Sequence, residues 1–270
     1  AAPAALGASG AASAGATGAP GTSSPAPIRV STLARPRSFS SRSRTRSRGT
    51  WIASAAPVNY LGARPVFCDI DAETLNIDPA KIEALITDKT VAIMPVHVFG
   101  NPCDVEAIEA IAKKHDLKVI YDAAHAFGSL HRERPVVTFG DASAISFTPT
   151  KVLTTGEGGL VVGKGESFMK KVIQGKNNGD SFERETEFLG ITARMGEFNA
   201  ILGLEELRIL PDLLERRLKL VELYKTELGD VPGITFQKVA PHDYSVYENL
   251  VILVDEEKSV SAWFDEQVRE

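Results

Sequence analysis

Residues 117–126 read Leu117-Lys118-Val119-Ile120-Tyr121-Asp122-Ala123-Ala124-His125-Ala126. Leu117–Tyr121 reads as a strand. It ends in an acid followed by small residues. In open α/β sheets, ligands meet the chain just beyond the carboxyl ends of strands, so Asp122 stands where a ligand could reach it. Upstream, Val91-Ala92-Ile93-Met94-Pro95-Val96 is continuously apolar, as expected of a strand covered on both faces. Between the two, Asp104 is placed to cap a helix with Val105, Ile108, Ile111 and Ala112 on one side. Further upstream, Pro65–Ile70 reads as a short strand, and Asp78-Pro79 as a helix start. Downstream, Ala144–Phe147 and Gly159–Val162 read as strands. Alternating strands and helices predict an α/β fold with a mainly parallel sheet flanked by helices.

Past this sheet, a helical pattern runs from about Gly196 to Leu228, interrupted by Pro211. Mixed strand-like segments such as Leu250–Val254 follow, and residues 258–270 read as an amphipathic helix. The division expected is a low-complexity segment over 1–49, a large domain over 50–205, and a connecting helix with part of a small domain over 206–270.

Residues 1–49 contain no Asp, Glu or Lys and carry an arginine run from Arg29 to Arg48. Such composition cannot bury a core and is expected to be disordered. A basic nucleic-acid tail, an organelle transit peptide and a shifted reading frame or misjoined segment all fit; the last is favoured on grounds given below. The whole chain has a net charge of −5, against a broad nucleic-acid surface. No run approaches the apolar length that spans a bilayer. Two cysteines, Cys68 and Cys103, are too few for a disulfide framework or a cysteine-rich metal site, and no metal ligand set is read. Reduced thiols and this composition fit a cytoplasmic metabolic enzyme.

The second chemical segment is Ser146-Phe147-Thr148-Pro149-Thr150-Lys151, followed by a loop ending Gly156-Glu157-Gly158-Gly159. It matches neither a phosphate-loop pattern nor a dinucleotide fingerprint. A lysine in a desolvated pocket loses its proton readily and can form a Schiff base with an aldehyde, and Ser146 with nearby N–H groups could bind a phosphate. Taken alone, Asp122 could be a helix cap and Lys151 an ordinary exposed lysine.

Asp122 and Lys151 lie 29 positions apart, and together the segments resemble the DegT/StrS-type nucleotide-sugar aminotransferases, a branch of the fold-type I pyridoxal-phosphate (PLP) enzymes. Pro95–Pro102, Asn177-Asn178-Gly179 and Gly190–Met195 resemble other segments of that family, and the likeness covers about residues 50–270.

The resemblance implies a PLP fold-type I large domain and an incomplete C-terminal small domain. It implies that Lys151 carries the cofactor aldehyde as a Schiff base and moves protons. Asp122 pairs with the pyridine nitrogen, Ser146 holds the phosphate, Trp51 stacks on the ring, and His125 lies near its phenolic oxygen. For Trp51 a core position, and for His125 a merely satisfied polar role, stay open. Glu157, His97 and Arg194 either line the substrate side or are structural. The implied activity is transfer of an amino group from an amino acid, glutamate being the family's usual donor, to a nucleotide-linked keto-sugar. The implied setting is polysaccharide or antibiotic sugar biosynthesis by a homodimer. The alternative is an inactive relative kept for binding or regulation.

Two departures stand out. The family's Gly–Thr turn at a helix start is replaced by the Arg/Ser/Ala tract, whose Gly21-Thr22 pair is followed by Pro25 and Pro27. Thr192 stands where many members have an asparagine that reaches the partner subunit's cofactor phosphate. The abrupt start of the likeness at Thr50 is what favours a frame shift or misjoin for residues 1–49 and a fragment for the whole.

Overall fold

The structure, a computed structural model, describes residues 29–32, 52–180 and 185–254. Trp51, the helix expected over 258–270, and residues 1–49 other than 29–32 lie outside the described residues.

The central sheet has six strands: β1 (Arg29–Thr32), β2 (Arg64–Val66), β3 (Thr90–Met94), β4 (Lys118–Asp122), β7 (Ala142–Ser146) and β8 (Gly159–Gly163). Their order is β2-β1-β3-β4-β7-β8, all parallel except β8, which runs antiparallel to β7. Between β4 and β7 the chain forms a small hairpin of β5 (Leu130–His131) and β6 (Arg134–Pro135).

Of residues 1–49, Arg29–Thr32 are described; they form β1, which lies between β2 and β3 and pairs backbone groups that would otherwise stay open.

The helices are α1 (Ile52–Tyr60), α2 (Pro79–Ile82), α3 (Val105–Lys114), α4 (Glu166–Gly175) and α5 (Glu197–Leu228). The expected caps form. The Asp78 carboxylate accepts the Ala80 N–H at 3.0 Å, and that of Asp104 accepts the Ala107 N–H at 3.0 Å. α5 continues through Pro211 rather than breaking there. Pro211 is exposed, so water can satisfy the carbonyl that its missing N–H leaves unpaired.

One core cluster joins the sheet to α3 through Ile82, Ile93, Val105, Ile108 and Tyr121. A second gathers Ala123, Ala126, Val136, Ile145, Phe147 and Leu153, with Leu210 of α5 packed against it. Leu153 is 2% exposed, and burying a leucine side chain is worth about 1.5–3 kcal/mol, so this cluster clamps the loop that carries Lys151. Beyond α5, β9 (Ile234–Phe236) pairs antiparallel with β11 (Ile252–Val254), a partial second unit. β10 (Asp243–Tyr244) instead returns to pair with β5.

Candidate active site

Strand direction gathers the chemistry. β3, β4 and β7 are parallel, so residues following them emerge along one edge. Asp122 ends β4, two residues in register past Ile120↔Ala142 of β7. Ser146 ends β7 and pairs with Gly159, the first residue of β8, so the loop 147–158 leaves and returns at that same edge with Lys151 on it.

Backbone bonds on both sides fix Asp122. Its N–H donates to Pro95 O at 2.8 Å, and its carbonyl accepts the His97 N–H at 3.1 Å. One carboxylate oxygen accepts the Ser54 hydroxyl at 2.5 Å and the other the Ala124 N–H at 3.0 Å. Each oxygen has two lone pairs, so the carboxylate keeps capacity for a further donor.

His125 is half-buried, with its ring stacked on Phe99 at 5.9 Å and 5°. Its Nδ1 accepts the Phe99 N–H at 3.3 Å, which assigns the proton of the neutral ring to Nε2. Burial lowers its pKa below the usual histidine range; the Lys151 charge lowers it further and the Asp122 charge opposes. His125 therefore feels both of the other key groups and stays neutral near pH 7.

Ser146 Oγ lies 3.2 Å from Thr148 Oγ1 and accepts the Thr148 N–H at 3.4 Å. Two hydroxyls and an amide are thus clustered at the strand end, a donor set that suits a phosphate. The loop beyond is tied to itself and to α5. Phe147 O accepts the Thr155 N–H at 3.0 Å and the Thr154 hydroxyl at 3.1 Å, and Thr155 O accepts the Asn199 amide at 2.6 Å. A Cβ on Gly159 would sit 2.7 Å from Ile145 O, so the loop's close return needs glycine there.

The Lys151 side chain is 15% exposed, with Nζ 3.6 Å from Glu248 Oε1. Sequence reasoning missed Glu248, which sits beyond α5 in the C-terminal segment, 96 positions from Val152 of the loop. Its other oxygen accepts the Val152 N–H at 3.0 Å, and its own N–H donates to Phe99 O at 3.0 Å. Burial raises its pKa above the usual carboxylate range, while Lys151, Val152 and Arg217 pull it down.

The other candidates divide. His97 is fully buried, stacks on Tyr121 at 4.7 Å and accepts the Cys103 N–H on Nδ1 at 3.0 Å, so it belongs to the core. Glu157 and Arg194 are exposed. The Thr192 hydroxyl donates to Asn178 Oδ1 at 2.8 Å.

A carboxylate, a neutral imidazole, a hydroxyl pair and an amine on one sheet edge fit a cofactor with a pyridine nitrogen, a phenolic oxygen, a phosphate and an aldehyde. No helix among the described residues is long and apolar enough to cross a membrane.

Comparison with known proteins agrees with the geometry. Residues 47–269 match the DegT/DnrJ/EryC1/StrS aminotransferase family. The spore coat polysaccharide biosynthesis protein SpsC of Bacillus subtilis is 38% identical over 223 residues, which cover 78% of this chain and 57% of that protein. The dTDP-4-amino-4,6-dideoxy-D-glucose transaminase of Shigella dysenteriae is 41% identical over 212 residues, covering 78% and 58%. The chain thus spans somewhat over half the length of these relatives. A solved structure described as the putative sugar aminotransferase Spr1654 of Streptococcus pneumoniae, in its PLP form, superposes with a TM-score of 0.74 at 26% identity over 85% of this chain and 61% of that one. The same enzyme is also known in a PMP form, and PLP is the cofactor of the family. The α/β sheet is that of the PLP fold-type I sugar aminotransferases. The chain belongs to the DegT/DnrJ/EryC1/StrS aminotransferase family.

Proposed function

We propose that the chain is the cofactor-binding part of an aminotransferase that moves an amino group from an amino acid, glutamate in our reading, to a nucleotide-linked keto-sugar. The observation that carries it is the gathering of Asp122, His125, Ser146 and the Lys151 loop at one sheet edge. A relative named as a transaminase of a dTDP-linked amino sugar supports the substrate class.

PLP supplies an aldehyde that carries the amino group and a ring that withdraws electrons. Lys151 Nζ would hold the cofactor through its aldehyde and, when free, would move a proton at the donor's Cα. The Asp122 carboxylate would accept a hydrogen bond from the protonated pyridine nitrogen. His125, whose Nδ1 is occupied by the Phe99 N–H, would offer Nε2–H to the phenolic oxygen. Ser146, with Thr148 beside it, would hold the phosphate. Trp51 is assigned the ring-stacking position by family resemblance. Glu248 Oε1, 3.6 Å from Lys151 Nζ, pairs with the lysine.

The reading includes a homodimer. Leu189, Ile191, Phe198, Ile201 and Leu204 are all exposed, Leu189 at 99% and Phe198 at 89%, and an apolar strip of this kind favours a protein partner. It also includes a cytoplasmic setting, supported by the two free, buried thiols.

The test is to load the chain with PLP, reduce with borohydride, digest, and map the label by mass spectrometry. The label is expected on Lys151, and release of 2-oxoglutarate from added L-glutamate follows. A label on another lysine overturns the site. A label on Lys151 without oxoglutarate favours the second reading, a binding or regulatory relative.

A further inference from the structure

Away from the Lys151 loop, three ligand-type side chains meet where β5 pairs with β10. The antiparallel register sets His131 opposite Asp243, and His242 directly precedes Asp243. His131 Nδ1 lies 2.7 Å from Asp243 Oδ1, and His242 Nε2 lies 3.7 Å from the same oxygen. One donor atom from each of the three falls within 4.8 Å of the others. The His131 and Asp243 side chains are each 4% exposed, whereas His242 is 42% exposed. Two donors are therefore buried and the third stands at the mouth of an open groove bordered by Arg132 and Tyr244.

Proton accounting exposes a conflict in this cluster. A neutral imidazole carries one N–H. With that proton on Nδ1, the contact to Asp243 is a hydrogen bond, but Nε2 is a buried lone pair without a hydrogen-bond partner, facing Glu106 Oε1 at 3.7 Å. With the proton on Nε2, the Glu106 side improves, but Nδ1 and Asp243 become two acceptors pressed together. Either arrangement leaves a buried acceptor against a carboxylate, which is costly. A cation between Nδ1 and Asp243 removes the conflict, because the proton then sits on Nε2 and points toward Glu106. Glu106 is itself oriented by Arg132 at 3.1 Å. A carboxylate behind a metal-bound histidine is a recurrent outer-shell arrangement.

We propose that His131 Nδ1, Asp243 Oδ1 and His242 Nε2 bind a divalent cation of the zinc class, with Glu106 accepting the His131 Nε2–H. Two imidazoles and a carboxylate are a borderline-soft donor set that disfavours magnesium. A tetrahedral ion with bonds of about 2.0 Å holds its donors roughly 3.3 Å apart. The present separations from Asp243 Oδ1 are 2.7 and 3.7 Å, and all three donors lie within 4.8 Å of one another, so binding spreads His131 and Asp243 by about 0.6 Å while the exposed His242 ring swings inward. The fourth position opens on the groove. The ion would fasten the segment after α5 to the β5–β6 hairpin, joining parts of the chain 112 positions apart.

The chelator-stripped full chain is titrated with zinc chloride by calorimetry, and its melting is followed with zinc or magnesium chloride. One zinc ion per chain and a raised melting temperature are expected, with no response to magnesium. The chain has five histidines, which makes the assignment decidable by substitution. His242→Ala removes an exposed side chain, so folding is not at risk. It should weaken zinc binding about tenfold or more and abolish the melting shift. His115→Ala, whose ring contacts Glu83 elsewhere, should change neither. The proposal is overturned if zinc leaves the melting temperature unmoved, or if His242→Ala keeps the full response.

Discussion

Lys151 Nζ stands 3.6 Å from Glu248 Oε1, with both side chains withdrawn from solvent. The contact joins the loop after β7 to a segment that follows α5, so the proposed cofactor lysine is held by the part of the chain outside the main sheet. Glu248 also fixes the loop directly through the Val152 N–H.

That pairing predicts a pH-dependent cost for Lys151→Met in cofactor-free protein. Removing the ammonium leaves a buried carboxylate and should destabilise the fold by about 1–3 kcal/mol near neutral pH. Burial already raises the Glu248 pKa, and Lys151 is the largest influence opposing it, so the substitution raises it further. A carboxyl whose folded pKa is raised favours the fold when protonated, and that support is lost as pH rises through the folded value. The cost of Lys151→Met should therefore be larger at pH 8 than at pH 5 by urea unfolding, and Glu248→Gln in the same chain should flatten the difference. A cost independent of pH would dissociate the two groups.

Asp122→Asn separates charge from shape. The asparagine oxygen can accept the Ala124 N–H, and its amide can donate to the Ser54 oxygen, so the local bonds survive. Cofactor attachment at Lys151 should persist while transamination falls on the order of a hundredfold or more, since the pyridine nitrogen loses its anionic partner. Turnover within a few-fold of the parent would remove Asp122 from the proposed role.

What was legible in the sequence was local. Asp78 and Asp104 cap their helices because a carboxylate before an apolar-periodic run satisfies helix N–H groups wherever it stands. Asp122 and Ser146 emerge at the ends of strands whose apolar runs announce them. What escaped was non-local. Glu248 gains its role from Lys151, and Asp243 from His131, 112 positions away, and neither pairing leaves a spacing to read. β1 was missed because the edges of β2 and β3, rather than a strong propensity of Arg29–Thr32, make it a strand.

The exposed strip at the start of α5 is expected to bury itself between copies of the chain. Phe198→Asp places a charge on its most protruding aromatic residue, 89% exposed and so free of intrachain packing cost. Sedimentation should register a shift toward monomer with little change in melting of the monomer itself. An unchanged sedimentation coefficient would place any dimer contact elsewhere.

His97 predicts how the fold responds to acid. Its ring is fully buried against Tyr121, and Nδ1 already accepts the Cys103 N–H, so the neutral ring carries its proton on the buried Nε2. Burial, reinforced by His131, pushes its pKa down from 6.5 to about 3. For a histidine with a depressed folded pKa, the neutral ring is what the fold prefers. Its contribution is complete above the unfolded value and is lost as pH falls from there toward the folded one. One proton taken up on unfolding corresponds to about 1.4 kcal/mol per pH unit once the unfolded ring is fully charged. His97→Asn keeps an oxygen to accept the Cys103 N–H and removes the titration. The loss of stability between pH 6.5 and 5.5 should then be smaller in the variant by about 1 kcal/mol. Other titrating groups, His125 with the same sign and Glu248 and Asp243 with the opposite one, are present in both proteins and cancel in the comparison. The baseline cost of losing the stacked ring does not enter, because the reading is a slope. Parallel slopes in urea unfolding over that interval would mean that His97 takes up its proton in the folded state, and hence that water reaches a ring here described as sealed.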